Sequence, residues 1–386
     1  MQKPAYDLLL RGGHVIDPAR EVSRARDVAV AGGKIARVAA GIPPAEARVV
    51  ADVGGMYVTP GLIDLHVHVY TRARQSTLFP DDACLPHGVT TAADAGCSGW
   101  RTFDDFQATI LAKARMRVLA WLNITGQGMR DGAQGESNEA DMDPAATAAK
   151  VRRHPDRIVG IKTAHYRNRG FTALRRAVEA GRLAGVPVLA DNSILTGSGR
   201  TTREKLIDIL RPGDIHTHMY NDEQLEIAGR GAGRLTEAAV EARRRGVLFD
   251  LGHGGGSFLW PVATRAMEQG FAPDTISTDL HPTSILLPRV SVPDCMSKLM
   301  VLGMTLEEAV RRATVNPARA IGRLPELGTL GEGRVADIAV LEMQSGRFAL
   351  VDSRRVKRMA SRRLECILTV LAGQVVYDRD GRAFYN

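Results

Sequence analysis

The feature that most constrains the fold is an alternation of short apolar segments with amphipathic helices in the middle of the chain. Between Pro60 and about Pro325, helices such as Thr172–Ala184, Thr236–Arg245 and Leu306–Ala320 separate segments of strand length. This alternation indicates βαβ units and a parallel sheet. Eight units in about 250 residues predict an α/β fold, a (β/α)8 TIM-type barrel. The predicted strands are Leu62–Val69, Val89–Asp94, Val118–Ile124, Ile158–Lys162, Val186–Asp191, Asp214–Met219, Val247–Gly252 and Thr275–Asp279.

The two ends of the chain have a different pattern, in which short strand-like pieces are separated by glycine turns. Gly12-Gly13 and Gly32-Gly33 lie between such pieces near the start, and Ala372-Gly373 lies between them near the end. Glycine-punctuated strands at both termini predict one small β-sandwich built from residues 1–59 and 326–386. The barrel domain would then span residues 60–325.

Composition excludes several classes of protein. Hydrophobic residues make up 44% of the 386 residues and charged residues 24%, as in ordinary soluble proteins. No apolar run approaches the roughly 18 residues of a membrane span, and the first ten residues do not resemble a secretory signal. The four cysteines have no paired spacing, which fits a reducing compartment. We therefore expect a cytoplasmic protein with no membrane partner.

The net charge of +8 raises the question of nucleic-acid binding. The basic residues are spread along the chain, except for a cluster between Arg354 and Arg363 that contains no aromatic side chain to stack on bases. We interpret the cluster as a solvated loop and predict no nucleic-acid partner. A positive field would instead favour a small anionic molecule.

Two histidines separated by one residue, His66 and His68, lie on the first predicted strand. Their segment is apolar apart from these histidines and Asp64. Residues two apart on a strand point to the same side, so both imidazoles could bind one metal ion. The alternative is a pair of histidines hydrogen-bonded inside a core.

Further polar residues end the later predicted strands at a regular interval. Lys162 lies 96 residues after His66, and successive steps of 29, 27, 35 and 26 residues then lead to Asp191, His218, His253 and Asp279. One βα unit of such a barrel takes about 31 residues, and the reactive groups of these barrels lie at the carboxyl ends of the strands. The spacing therefore predicts that these side chains share one site.

The chemistry of this set favours hydrolysis assisted by metal ions. Carbon dioxide can convert a neutral Lys162 amine into an anionic carbamate that bridges two cations, although a lysine that reaches water or a carboxylate is the simpler interpretation. Asp279 can bind a metal and also transfer a proton as general base and acid, or it can cap a turn. His253, before a run of glycines, either contacts the substrate or belongs to a turn.

Several segments together resemble the amidohydrolase superfamily, and in particular its dihydroorotase-like amidohydrolase and deacetylase branch. The resemblance rests on Pro60–His68, Leu85–Thr91, Val159–Lys162, Arg211–Asp214, Phe249–Gly254, Ser277–His281, Gly328–Gly333 and Ala336–Ile338. It implies a barrel with a binuclear site, usually of zinc, bridged by a carbamylated Lys162. His66, His68 and Asp279 would bind the first metal, and His218 the second. Hydrolysis of an amide or ester by a metal-bound hydroxide is the implied reaction.

The fifth predicted strand departs from the family pattern, because Asp191 occupies the position of a histidine. An aspartate can bind zinc through oxygen, so two metals remain compatible with the sequence. A harder, shorter ligand could also weaken the second metal, favour manganese, or leave one metal. We expect one or two divalent ions, with zinc as the first choice.

The leading hypothesis is a deacetylase-like metallohydrolase that cleaves an amide or ester bond of a small anionic substrate. A cyclic amide hydrolase of dihydroorotase or hydantoinase type is one alternative, and a catalytically impaired barrel scaffold is another. Four residues in the loops after strands are predicted to bind the substrate: Arg72, Tyr220, His253 and His281. By resemblance we expect a homo-oligomer.

Overall fold

The computed structural model describes residues 4–73, 78–191, 207–221, 233–286 and 290–383. The strands in these ranges are β1 Tyr6–Asp17, β2 Val22–Ala31, β3 Lys34–Ala39, β4 Ala47–Asp52, β5 Tyr57–Pro60, β6 Leu62–Val67, β7 Val89–Gly99, β8 Arg117–Asn123, β9 Ile158–Thr163, β10 Val188–Ala190, β11 Ile215–His216, β12 Leu248–Phe249, β13 Ile338–Val351, β14 Lys357–Leu371 and β15 Gln374–Asp378.

The α-helices that the described ranges contain lie almost entirely between the central strands and after them. They are α1 Pro80–Cys84, α2 Phe103–Phe106, α3 Gly132–Gly135, α4 Pro144–Arg153, α5 Thr172–Ala184, α6 Glu237–Arg245, α7 Trp260–Glu268, α8 Val292–Val301, α9 Leu306–Ala313 and α10 Val315–Ala320. None of the helices described is both long and apolar enough to cross a membrane.

The central strands form a parallel sheet. Its order is β12-β11-β10-β9-β8-β7-β6, so each strand pairs with its neighbours in the chain. Both faces are buried: Leu119 and Trp121 of β8 belong to one apolar cluster, while Val118 and Leu122 join a larger cluster with side chains of the helices. Burial on both faces is typical of a parallel sheet and explains the apolar sequence of these strands.

The eighth predicted strand, Thr275–Asp279, does not form a regular strand. The segment makes isolated bridges instead, from Thr275 to Asp250 on one side and from Leu280 to Val67 on the other. The backbone of this segment also forms hydrogen bonds with the residues after both edge strands of the sheet. Gly254 N donates to Thr278 O at 2.8 Å, and His68 N donates to Leu280 O at 2.8 Å. Asp279 has a φ of +48°, which no regular strand contains.

Several other predicted boundaries were wrong, and two of them have a clear local reason. The predicted sixth strand, Asp214–Met219, pairs only over β11, because His218 takes a φ of +59°. The predicted helix Leu306–Ala320 is divided into α9 and α10 at Thr314. Pro317 explains the division, because a proline cannot donate to the carbonyl four residues earlier and its ring clashes there.

The strands of the two termini pair with each other in a separate sheet. Its order is β15-β14-β13-β5-β1-β2-β3, with β4 paired to β1. The join between the termini is the antiparallel pair β13–β5, in which Val340 lies opposite Val58. A cluster of buried side chains drawn from residues 8–58 and 330–370 packs these strands. The prediction that both ends of the chain build one β structure is consistent with this sheet.

Candidate metal centre

All six residues predicted to bind metal line one cavity of about 440 Å³ where the central strands end. The parallel pairing brings these strand ends to one side, so residues far apart in sequence meet. The six are His66, His68, Lys162, Asp191, His218 and Asp279.

The tightest group of candidate ligands in the cavity is formed by His66, His218 and Asp279. One nitrogen or oxygen from each residue lies within 4.8 Å of the other two. His66 Nε2 is 3.5 Å from Asp279 Oδ1, and His68 Nε2 is 2.9 Å from the same oxygen. Imidazole nitrogens and a carboxylate oxygen are the donors that zinc prefers, so this group fits a divalent cation.

Hydrogen bonds on the far side of two rings direct their Nε2 atoms into the cavity. His218 Nδ1 donates to Gly252 O at 2.7 Å. Thr217 donates its hydroxyl to Asp250 Oδ2 at 2.7 Å, so its oxygen accepts from His66 Nδ1 at 3.0 Å. Each Nε2 therefore carries a lone pair, the arrangement seen in metal-binding histidines. Burial lowers the pKa of His66 to about 3, which keeps its ring neutral.

Asp250 supports this arrangement and was not predicted as a functional residue. The carboxylate is completely buried and accepts hydroxyl protons from Thr217, from Thr275 at 2.6 Å and from Ser277 at 2.6 Å. Burial acts to raise its pKa, but the hydrogen bonds and His66 outweigh burial and lower it. An aspartate inside an apolar strand segment was the sequence signal that could have identified it.

Lys162 is held at the edge of the metal-ligand group because a glycine on β7, two strands away in the sheet, leaves room for its side chain. Its Nζ lies 3.4 Å from His66 Nε2. Gly96 has a φ of +86°, and a Cβ there would lie 2.5 Å from Lys162 Cγ. Burial lowers the pKa of Lys162 despite the nearby carboxylates of Asp191 and Asp279. A larger share of the amine is therefore neutral, the form that reacts with carbon dioxide.

The two carboxylate oxygens of Asp279 lie in different environments. Oδ1 lies against the imidazoles of His66 and His68, whereas Oδ2 is 3.9 Å from His281 Nε2. Gly254 leaves room for Oδ2, because a Cβ at that position would lie 2.2 Å from it. Burial acts to raise the pKa of Asp279, but the surrounding imidazoles outweigh burial and hold that pKa well below its usual range.

A second group of polar atoms surrounds Asp191 on the other side of the cavity. Asp191 Oδ2 lies 3.8 Å from His218 Nε2 and 3.7 Å from His165 Nε2. His165 was not predicted from the sequence, although it follows Lys162 by only three residues. Its Nδ1 lies 3.0 Å from Oε2 of Glu136, a buried carboxylate.

Comparison with known proteins identifies the family. A deacetylase of Enterococcus faecalis is 29% identical over 97% of this chain and 99% of its own length. A deacetylase of Agrobacterium fabrum is 30% identical over 86% of this chain and 83% of its own length. The Amidohydrolase family pattern also matches residues 299–377. The chain belongs to the amidohydrolase superfamily. It is a hydrolase of the kind that uses divalent metal ions.

Solved structures of the superfamily resemble this amidohydrolase over its whole length. The crystal structure of an adenine deaminase matches with a TM-score of 0.86 at 28% identity, covering 97% of this chain and 100% of that one. A dihydroorotase matches with a TM-score of 0.85 at 26% identity, covering 98% of each chain.

Three of the four residues predicted to bind substrate do not line the cavity. Arg72 has a side chain that is 64% exposed and pairs with Asp105 at 2.6 Å. Tyr220 is buried and donates its hydroxyl to Phe271 O at 3.0 Å. The prediction failed for both because position after a strand does not fix the direction of a side chain.

The third of these residues, His253, is buried behind the cavity. Its Nδ1 lies 2.8 Å from Gly254 O, and its Nε2 lies 2.8 Å from the ammonium of Lys298. The ring also stacks on Phe258 with a centroid distance of 4.9 Å. Both nitrogens are thus engaged inside the protein, which does not fit a substrate contact. His281 does line the cavity, where Thr283 Oγ1 lies 2.9 Å from its Nδ1.

Proposed function

We propose that this amidohydrolase removes an acyl group from a small N-acyl or O-acyl acid. The observation that carries the proposal is that donor atoms of His66, His218 and Asp279 lie within 4.8 Å of one another in a cavity of about 440 Å³. That volume suits a small molecule. The two deacetylase relatives support acyl transfer to water as the reaction. A small anionic substrate accords with the net charge of +8 and with His165 and His281 in the lining.

The proposed cation is zinc, with manganese as the alternative, because the donors combine imidazole nitrogens with carboxylate oxygens. His66, His68 and Asp279 would hold the first cation. Lys162 would bridge to a second cation after carbamylation. In that step the neutral amine bonds to the carbon of carbon dioxide, a proton leaves the nitrogen, and the product is an anionic carbamate with two oxygens.

The residues of the cavity have separate roles in the proposed reaction. A divalent cation held by His66, His68 and Asp279 would polarise the substrate carbonyl and lower the pKa of a water molecule towards about 7. Asp279 takes up the proton of the attacking water at Oδ2, the oxygen that faces away from His66 and His68. The same carboxyl then returns the proton to the leaving nitrogen or oxygen. His281, 3.9 Å from Oδ2, contacts the substrate at the mouth of the cavity.

The test combines a substrate panel with a variant of the proton carrier. Zinc-loaded protein is assayed with N-acetyl amino acids and O-acetyl hydroxy acids, and acetate release is measured. Asp279→Asn should reduce kcat by about 10²–10⁴-fold, the contribution of general acid–base catalysis, while the chain still binds zinc. Asp104→Asn, at an exposed carboxylate, is the control and should retain full activity. Normal turnover by Asp279→Asn, or none by the zinc-loaded wild type on any substrate, would contradict the proposal.

A cyclic amide hydrolase is the second candidate, and the likeness to a dihydroorotase favours it. Product analysis separates the two, because ring opening gives one product whereas deacylation gives two. Adenine belongs in the panel as well, with ammonia as its product, because an adenine deaminase has a similar structure. A chain that binds no metal under any condition would support the remaining alternative, a barrel that acts only as a scaffold.

We further propose a closed eight-stranded barrel over residues 60–325 and a β-sandwich domain from residues 1–59 and 326–386. The bridges of Thr275 and Leu280 to the two edges of the central sheet support closure. The separate sheet of the termini supports the second domain. We propose a cytoplasmic homo-oligomer with four reduced cysteines, all buried and unpaired as described. Light scattering on the purified protein tests its oligomeric state.

A further inference from the structure

We propose that His165 supplies an additional imidazole ligand to a second divalent cation, which it holds together with Asp191 and His218 beside Lys162. The proposal rests on the proposed metal-dependent function and deepens it. It assigns the second site a ligand from the loop after β9, a position at which neither the strand pattern nor the family resemblance placed one.

The distances around Asp191 are close to those of ligands that share an ion. Its Oδ2 lies 3.7 Å from His165 Nε2 and 3.8 Å from His218 Nε2. Two ligands at about 2.0–2.1 Å from a tetrahedral zinc ion lie about 3.3 Å apart. Each of these two pairs therefore needs to approach by only a few tenths of an ångström when a cation binds, whereas the ring nitrogens of His165 and His218 need to move further towards each other.

A buried carboxylate orients the ring of His165. Glu136 has a side chain that is 1% exposed, and its Oε2 lies 3.0 Å from His165 Nδ1. Its other oxygen, Oε1, accepts from Asn123 Nδ2 at 3.3 Å, which fixes the carboxylate. A carboxylate that accepts from Nδ1 leaves the lone pair on Nε2, the arrangement that supports histidine ligands of metals.

The strand pairing explains why a ligand after β9 can serve the end of β10. Thr163 lies opposite Ala190 in the ladder, and Asp191 N donates to Thr163 O at 3.0 Å. His165 is two residues beyond that pair and Asp191 is one residue beyond it, and both side chains line the cavity. An imidazole from the neighbouring strand can thus replace the histidine that the family pattern has at position 191.

The donor atoms around Asp191 are further apart than those of the group formed by His66, His218 and Asp279. The donor atoms of His165, Asp191 and His218 do not all lie within 4.8 Å of one another, unlike those of the group containing His66. His165 also has a φ of +47°, an unfavourable conformation for a residue with a side chain. Drawing this group together costs free energy, so the second cation should bind more weakly than the first.

The experiment counts cations rather than turnover. Chelator-stripped protein is titrated with Zn²⁺ in bicarbonate buffer by calorimetry, and bound zinc is counted by mass spectrometry. The absorption spectrum with Co²⁺ reports the ligand environment of each added ion. Wild-type protein should bind two cations per chain in two resolved steps.

Three variants identify the ligand. His165→Ala should leave the first step unchanged and weaken the second by more than 100-fold. Glu136→Gln, which keeps the size of the side chain, should weaken the second step by about 10–100-fold, the usual effect of losing an outer partner. The matched control is His154→Ala, whose imidazole also faces a carboxylate, with Nε2 3.8 Å from Asp104 Oδ1 but outside the cavity. It should change neither step.

A wild type that binds only one cation, or a second step that His165→Ala changes by less than threefold, overturns the proposal. Should His165→Ala fail to fold, an unchanged second step in Glu136→Gln overturns it instead. Failure of the proposed hydrolytic function would give a different result from failure of the proposed His165 ligand. The protein would then bind two cations in steps that depend on His165, yet release no product from any substrate.

Discussion

Replacing Gly96 by alanine tests how strictly the cavity depends on the position of Lys162. Gly96 lies where the pairing of β7 with β8 is irregular, between Ala95 and Gly99, and its φ is +86°. An added Cβ would lie 2.5 Å from Lys162 Cγ, whereas ordinary contact begins at 3.4 Å. The lysine stem must therefore move by about 0.9 Å, or the strand must move away from it.

Two separate effects are expected from Gly96→Ala. The left-handed backbone costs about 1–2 kcal/mol of stability for any residue other than glycine. In addition, a misplacement of about 1 Å in a catalytic constellation can cost about 10²-fold in rate. We therefore expect kcat/KM to fall about 100-fold, and carbamate formation on Lys162 to fall with it. Enzyme kinetics and carbon NMR with labelled bicarbonate measure the two quantities.

Gly213→Ala provides the matched control, because it separates backbone strain from contact with Lys162. Gly213 has a φ of +85°, and among the described residues no atom lies within 4 Å of where its Cβ would be. This variant should lose about 1–2 kcal/mol of unfolding free energy and keep its activity. The reasoning is refuted if Gly96→Ala retains activity within twofold of Gly213→Ala, or if both variants lose activity equally.

Three further outcomes are expected. Thr217→Val removes the hydroxyl that accepts from His66, so zinc affinity should fall about 10–100-fold in a calorimetric titration, whereas Thr217→Ser should retain it. Protein freed of carbon dioxide should regain zinc and activity when bicarbonate is added, and at a fixed concentration of dissolved carbon dioxide the recovery should be faster as pH rises, because only the neutral Lys162 amine reacts; no response to bicarbonate would contradict the carbamate. Lys298→Met should raise the pKa of His253, because burial and then the Lys298 charge lower it, and an NMR titration showing no rise would contradict this.

The sequence predicted β8 and β9 closely, but it ended β7, the longest of the described central strands, five residues too early. Strands β8 and β9 lie within one residue of their predicted bounds, because a short apolar run bounded by polar residues is typical of a strand buried on both faces. Prediction was poor near the site itself, where β11 is two residues long and the segment from Thr275 makes only isolated bridges. There the backbone bends to direct side chains into the cavity, and local sequence does not encode that bend.

Residue type, spacing and the family resemblance indicated six candidate metal ligands, and the structure places all six around one cavity. That they bind metal stays a prediction. Residue type and spacing did not predict which side of a loop each side chain faces. Arg72, Tyr220 and His253 follow strands as expected, yet each is directed to a partner outside the cavity. His165 shows the opposite case, a loop residue without any periodic signal that the structure places beside Asp191.

The order of apolar segments, helices and glycine turns along the chain thus determined the fold class, and the polar residues that end the strands determined the chemistry. Only the tertiary structure decided which side chains meet. Contact between His66, His218 and Asp279 depends on the register of parallel strands and on positive φ angles at two of these residues. Register and backbone bends are set by packing between segments far apart in sequence, so no local pattern contains them.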